Sequence, residues 1–144
     1  REGGTAERTI ARLGLEGAVR FVNGVAESDL VDLFGSAQVA VVPSLYEGFS
    51  LPAIEAMACA TPLVVTTAGA LPEVVGPDGV AAVHVPPGDS DAIAIAIGSI
   101  LDDDALASRL GAAGRARVLD RFTWRAVAEQ TVQWYRACLQ EVPC

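Results

Sequence analysis

The sequence predicts an α/β fold of Rossmann-like type, a parallel sheet with helices on both faces. Two observations carry this. The runs QVAVVP (38–43), PLVVTT (62–67) and the start of AAVHVPPGD (81–89) are short and continuously apolar, as strands buried on both sides must be. Stretches with helical spacing alternate with them, and alternation of strand and helix is the pattern of a parallel sheet covered by helices. No internal repeat or low-complexity linker interrupts the 144 residues, about one domain's worth.

The elements follow in order. GTAERTIARLG (4–14) has helical spacing, with Thr5 as a cap candidate and Gly14 as the stop. AVRFVNG (18–24) is predicted as a short strand, centred on 19–22, that ends on a turn. ESDLVDLFGSA (27–37) opens at Ser28 or Glu27 and places Leu30, Leu33 and Phe34 on one face of a short helix. The strand 38–43 stops at Pro43, and after a loop a helix runs from Leu51 to about Cys59, with Pro52 suited to its first turn. ALPEVVG (70–76) is a helix of one or two turns after the strand 62–67. Asp89 or Ser90 caps a helix over 91–101, and the tail from Asp103 holds two more helices divided near Phe122 and Thr123. Phe122, Trp124, Trp134 and Tyr135 are expected to anchor that tail by burial.

Composition excludes several classes. The net charge is −8 and lysine is absent, which argues against a nucleic-acid partner, because binding polyphosphate needs clustered cations. The arginines concentrate between Arg109 and Arg136, so an anion bound to the central segment would rely on backbone dipoles or on residues outside the chain. Cys59, Cys138 and Cys144 lack metal-ligand spacing, and no metal or other cofactor is expected. Asp102, Asp103 and Asp104 read as a solvated break between helices, and the single histidine, His84, as structural. The apolar runs are too short to cross a bilayer, and a cytoplasmic location is expected, with the inner face of the membrane as an alternative.

The stretch PSLYEGFSLPAIEAMACATP (43–62) carries the chemistry. It leaves a strand at its carboxyl end, where open α/β sheets bind ligands. Gly48 lets backbone come close to a ligand, and the amides of Phe49, Ser50 and Leu51 are donors at the positive end of a helix, a geometry that attracts phosphate. Glu55, about 6 Å further along at 1.5 Å per residue and on the face of Leu51, is placed to accept the two hydroxyls of a ribose. Glu47 faces the group on the far side of the diphosphate. A strand, a Gly-containing loop and a helix occur in every α/β domain, however, and a Glu near a helix start is favoured by the dipole alone.

The same stretch, extended through LVVTTAGALPEVVG, resembles the retaining glycosyltransferases of family 4, which include sucrose synthase and many bacterial mannosyl- and glucosyltransferases. Glu47 and Glu55 match the pattern of two Glu with seven residues between them, and VRFVNGV, VPPGD and FTW (122–124) occur in the expected order. Ser50 and Ala60 stand where glycine is common in that family, and Asn23 where small or β-branched residues are frequent.

The resemblance implies the second of two Rossmann-like domains in the GT-B arrangement, binding a nucleotide-diphosphate sugar. By that likeness Glu55 binds ribose and Glu47 holds hydroxyls of the donor sugar. Gly48, Phe49, Ser50 and Leu51 meet the sugar and diphosphate, Gly24 and Val25 neighbour the base, and the loop Gly69 to Leu71 borders the donor. The tail reaches back toward the first domain, so some of its aromatic residues are expected to be exposed here. An Arg and Lys pair on the diphosphate and an acceptor-binding domain belong to the family pattern. With no lysine here, residues 1–144 are expected to be part of a larger transferase, lacking the first strands and the acceptor domain, with an unknown acceptor. Strand edges left unpaired invite self-association. A binding module without turnover and a GT-B sugar-nucleotide epimerase are the competing readings, the latter without the Glu-x7-Glu loop.

Overall fold

The structure, a computed structural model, describes residues 4–140. Its chain divides into two units, residues 1–30 and 31–144.

In the first unit, α1 (Thr5–Leu13) starts at Gly4 without a side-chain cap, so Thr5 is the first helical residue rather than the cap. Gly14 ends it at φ 66, a left-handed conformation open to glycine, as expected. The strand predicted over 18–24 does not form. Residues 19–23 are irregular, and Val19, Phe21 and Val22 are exposed. Apolar composition makes a segment able to be a strand, but a strand exists only through ladder partners. Pairing in the one sheet of the described residues is confined to three other strands. None of residues 4–30 is buried.

The second unit begins within α2 (Glu27–Ser36) and holds a parallel sheet of β1 (Ala40–Val42), β2 (Leu63–Thr66) and β3 (Val83–Val85), in that order. Ala40, Val41 and Val42 face Leu63, Val64 and Val65, which makes β1 an edge; Val64, Val65 and Thr66 face Val83, His84 and Val85. The connections carry α3 (Leu51–Ala58) and α4 (Leu71–Val75), and α5 (Ser90–Leu101), α6 (Asp104–Arg121) and α7 (Trp124–Gln140) follow β3.

Alternation along β2 builds two cores. Leu63 and Val65 pack with Ala53, Ala56 and Met57 of α3, Leu71, Val74 and Val75 of α4 and Val118 of α6. Val64, on the opposite face, packs with Val85, Ala96 and Ile100 of α5 and Leu110 of α6. Side chains that alternate across a pleat require cover on both sides, and the helices supply it.

Helix termini are closed by specific groups. Asp89 and Asp103 accept from the backbone N–H of Ala92 and Leu106, each at 2.9 Å, so Asp103 is a cap within the acidic break 102–104. Arginines of α6 cap carbonyls elsewhere: Arg115 donates to Ala58 O at the end of α3. Arg117 donates to Val74 O and Glu73 O of α4, both at 2.7 Å, and Arg109 to Gly79 O at 2.7 Å. Gly111 and Gly114 let α6 lie close against Ala60 O and Met57.

The tail's aromatic residues divide between the two expectations. Phe122 is half-buried, but Trp124 and Trp134 are 92% and 72% exposed, Tyr135 is exposed, and α7 buries no residue. Within the second unit α7 packs chiefly along α6, which leaves its aromatic side chains uncovered. No helix among the described residues is long and apolar enough to cross a membrane.

Candidate functional site

Because β1 and β2 run parallel, the loops that follow them leave the sheet at the same end, and they are stitched together there. The hydroxyl of buried Thr66, at the end of β2, donates to Ser44 O at 2.6 Å. Ala70 N–H donates to Glu47 O at 2.9 Å. Gly69, at φ +54, lies directly under Glu47, and a Cβ on it would overlap the Glu47 carbonyl oxygen. Ser44 Oγ donates to Glu47 Oε2 at 3.2 Å, so Glu47 is held by both its main chain and its carboxylate.

Beyond Glu47 the chain turns into α3 through Gly48, Phe49 and Ser50. The Phe49 ring meets Phe122 edge to face, with centroids 6.1 Å apart and planes at 74°. Ser50 sits in a left-handed conformation, φ 74 and ψ 80, 3% exposed, and its Oγ is buried without a hydrogen-bond partner. No side chain caps α3. Among the described residues the N–H groups of Gly48, Phe49, Ser50 and Leu51 donate no hydrogen bond. Those of Gly48 and Phe49 lie in the loop and those of Ser50 and Leu51 at the start of α3, whose positive end favours an anion.

One turn into α3, Leu51 and Glu55 share the exposed face, while Ala53, Ala56 and Met57 occupy the buried one. Glu55 makes no hydrogen bond or ion pair with its side chain among the described residues, which leaves its carboxylate available to hydroxyl donors. Gly24, at φ 63, and half-buried Val25 belong to the first unit, where they form the bend before α2.

A cavity of about 350 Å³ opens beside the loop, lined by Gly48, Phe49, Ala70, Glu73, Val74, Arg121, Phe122 and Gln130. Glu47, Ser50, Leu51 and Glu55 do not line it. Arg121 therefore stands in the same wall as Gly48 and Phe49, an in-chain cation beside the central segment that the sequence reading did not anticipate. A tertiary neighbour some 70 positions away leaves no local signal. The tethers Ser44, Thr66 and Gly69 were likewise unassigned as such, although the loop Gly69 to Leu71 was expected at this border.

His84 donates its backbone N–H to Asp78 Oδ1 at 2.8 Å, and its Nε2 is buried without a partner. Cys59 is half-buried at the end of α3. Cys144 lies outside the described residues. Among the described residues no three His, Cys, Asp or Glu converge as metal ligands.

Comparison with known proteins agrees with this architecture. The chain is 48% identical over 139 residues to the MMP α-(1→4)-mannosyltransferase of Mycolicibacterium hassiacum, covering 96% of this chain and 34% of that protein. It superposes on sucrose-phosphate synthase from Thermosynechococcus elongatus with a TM-score of 0.83 at 41% identity, over 95% of this chain and 34% of that one. It also superposes on Anabaena HepE in complex with UDP, with a TM-score of 0.83 at 26% identity, over 92% of this chain and 36% of that one. The chain thus spans about a third of the length of the relatives it matches. Residues 3–117 match the family described as glycosyl transferases group 1, and the chain belongs to that family.

Proposed function

We propose that this chain is the donor-binding part, the second domain, of a retaining glycosyltransferase that uses a nucleotide-diphosphate sugar. The observation that carries it is the row of undonated amides from Gly48 to Leu51 at the start of α3, with Glu47 fixed on one side and Glu55 exposed on the other. HepE, solved with UDP and with UDP-glucose, is a relative of the same fold that holds such a ligand.

When the anomeric C–O bond breaks, its electron pair leaves with the nucleoside diphosphate, and the new bond forms on the same face of the sugar. Negative charge grows on the diphosphate, so fixed N–H donors aimed at it stabilise the transition state more than the ground state. Glu47, pinned by Ser44 and Ala70, holds sugar hydroxyls near the reacting carbon. Glu55 accepts from the ribose hydroxyls. The acceptor is carried by a part of the protein beyond these residues.

The test is a pair of variants in the full-length enzyme. Glu47→Gln is expected to lower turnover at least a hundredfold, with donor affinity changed far less, the scale of losing one transition-state contact. Glu55→Ala is expected to weaken nucleotide binding about tenfold or more by removing hydrogen bonds to a charged acceptor. Calorimetric titration with UDP, GDP, ADP and their sugars measures the second effect and identifies the base. Equal, mild losses from both variants would remove the division of labour.

A further inference from the structure

We propose that the cavity between the 48–49 loop, α4 and the α6–α7 junction binds a sugar or polyol that carries an oxyanion, a phosphate or a carboxylate, beside the nucleotide site. That the cavity lies beside a nucleotide rests on the donor-binding reading above; the binding site itself rests on the lining.

The cavity, about 350 Å³, matches a single small ligand. Its wall is chemically mixed in a way that suits a charged carbohydrate. Arg121 offers a planar fork of donors for an oxyanion. Glu73 and Gln130 offer acceptors and donors for hydroxyls, and the Phe49 and Phe122 rings, edge to face, offer an apolar surface for the C–H face of a ring. Of the residues expected at the donor, Glu47, Ser50, Leu51 and Glu55 do not line it, whereas Gly48, Phe49 and Ala70 do, so the cavity adjoins the donor site along one wall and extends away from it toward Arg121 and Gln130.

Arg121 differs from the other arginines of its helix. Arg109, Arg115 and Arg117 are each committed to backbone carbonyls of other elements. Arg121, one turn beyond Arg117, has no such bond, and among the described residues its guanidinium forms no ion pair, with Glu73 or any other acid. The two guanidinium groups stand close enough that the pKa of Arg117 is lowered, first by burial and then by the charge of Arg121, against a raising effect of Asp120. Like charges one turn apart disfavour each other, and a bound anion relieves that repulsion. In a chain of net charge −8 without lysine, a free cation turned to a sugar-sized cavity is a local arrangement that overall composition does not supply.

The experiment is an NMR titration of the uniformly ¹⁵N-labelled protein with glucose 6-phosphate, glucuronate, inorganic phosphate and glucose, each with and without UDP. Glucose 6-phosphate or glucuronate is expected to shift the Arg121 Nε–H, the Gln130 side-chain amide and the Glu73 N–H to saturation, and whichever binds tighter identifies the oxyanion. Inorganic phosphate and glucose are each expected to bind at least tenfold more weakly. Arg121→Gln, at an exposed position, is expected to lower the affinity for the anionic sugar at least tenfold and that for UDP less than twofold. Glu73→Gln is expected to lower affinity for the sugar phosphate and leave that for phosphate unchanged.

Equal binding of glucose and glucose 6-phosphate, shifts confined to other residues, or an Arg121→Gln protein with unchanged affinity would each overturn the proposal. UDP binding without anionic-sugar binding rejects this site alone. Anionic-sugar binding without UDP binding keeps the site and rejects the donor reading.

Discussion

Gly69 is the point where two loops touch, and replacing it with alanine separates close approach from backbone strain. Gly69 has φ +54 and Gly79 has φ +71, so alanine at either pays the left-handed penalty, about 1–2 kcal/mol. Part of that is offset by about 0.4–1 kcal/mol of lost freedom in the unfolded chain, leaving a net destabilisation of about 1 kcal/mol. At Gly79 a Cβ meets nothing within 4 Å, and the cost ends there. At Gly69 the Cβ would overlap Glu47 O and lie 3.1 Å from both the carbonyl carbon and the nitrogen of Glu47, backbone atoms that have no rotamer to escape into. The 44–50 loop has to move, and the Ala70 N–H to Glu47 O bond goes with it, adding about 1–2 kcal/mol. Gly69→Ala is therefore expected to cost about 2–3 kcal/mol in urea unfolding, against about 1 kcal/mol for Gly79→Ala. Only Gly69→Ala should also weaken titrated UDP-glucose, about tenfold. Equal destabilisation by the two variants with unaltered UDP-glucose affinity would show that the contact does not position Glu47.

Three further substitutions test the scaffold. Ser50→Gly removes a left-handed non-glycine residue and an orphaned buried hydroxyl, and is expected to stabilise the protein by about 1 kcal/mol in denaturant unfolding after the entropy of glycine is subtracted. A destabilised variant would mean that Ser50 Oγ has a partner. Asp103→Ala is expected to cost about 1 kcal/mol by removing the cap of α6, visible in the thermal midpoint, while Asp104→Ala costs a few tenths. Arg117→Met, which uncaps Val74 O and Glu73 O, is expected to cost about 2–3 kcal/mol and to speed hydrogen exchange in α4. Arg117→Lys should recover only part of this, because one ammonium cannot span both carbonyls.

From Gln38 onward the element order was legible because each signal was local: apolar runs for β1 to β3, Pro52 and Gly48 around the start of α3, and Asp89 and Asp103 ahead of α5 and α6. The segment 18–24 was misread for the complementary reason. VRFV has the composition of a strand, but pairing is a property of partners, and the ladders of the sheet join only β1, β2 and β3. Trp124, Trp134 and Tyr135 carry a related lesson, since an aromatic residue on an amphipathic helix marks a face to be covered without saying what covers it.

The site shows the same boundary between local and tertiary information. The positions of Glu47 and Glu55 follow from spacing, because a loop before a helix and one turn inside it fix where their side chains start, while their roles stay with the proposal above. What holds Glu47 in place does not follow from spacing. Ser44, Thr66, Gly69 and Ala70 act through backbone contacts between two loops that only the parallel register of β1 and β2 brings side by side. Ser50 and Ala60 join the two levels. They stand where glycine is common in the family. Both prove to be the non-glycine residues of the described chain with positive φ, at 74° and 58°. A single Cβ in the left-handed region costs about 1–2 kcal/mol whatever its volume, so these glycines are explained by backbone conformation at the two ends of α3. A site that tolerates that strain at both ends of its central helix must be over-determined by its surroundings, and the Thr66, Gly69, Arg115 and Gly111 contacts are the groups that do so.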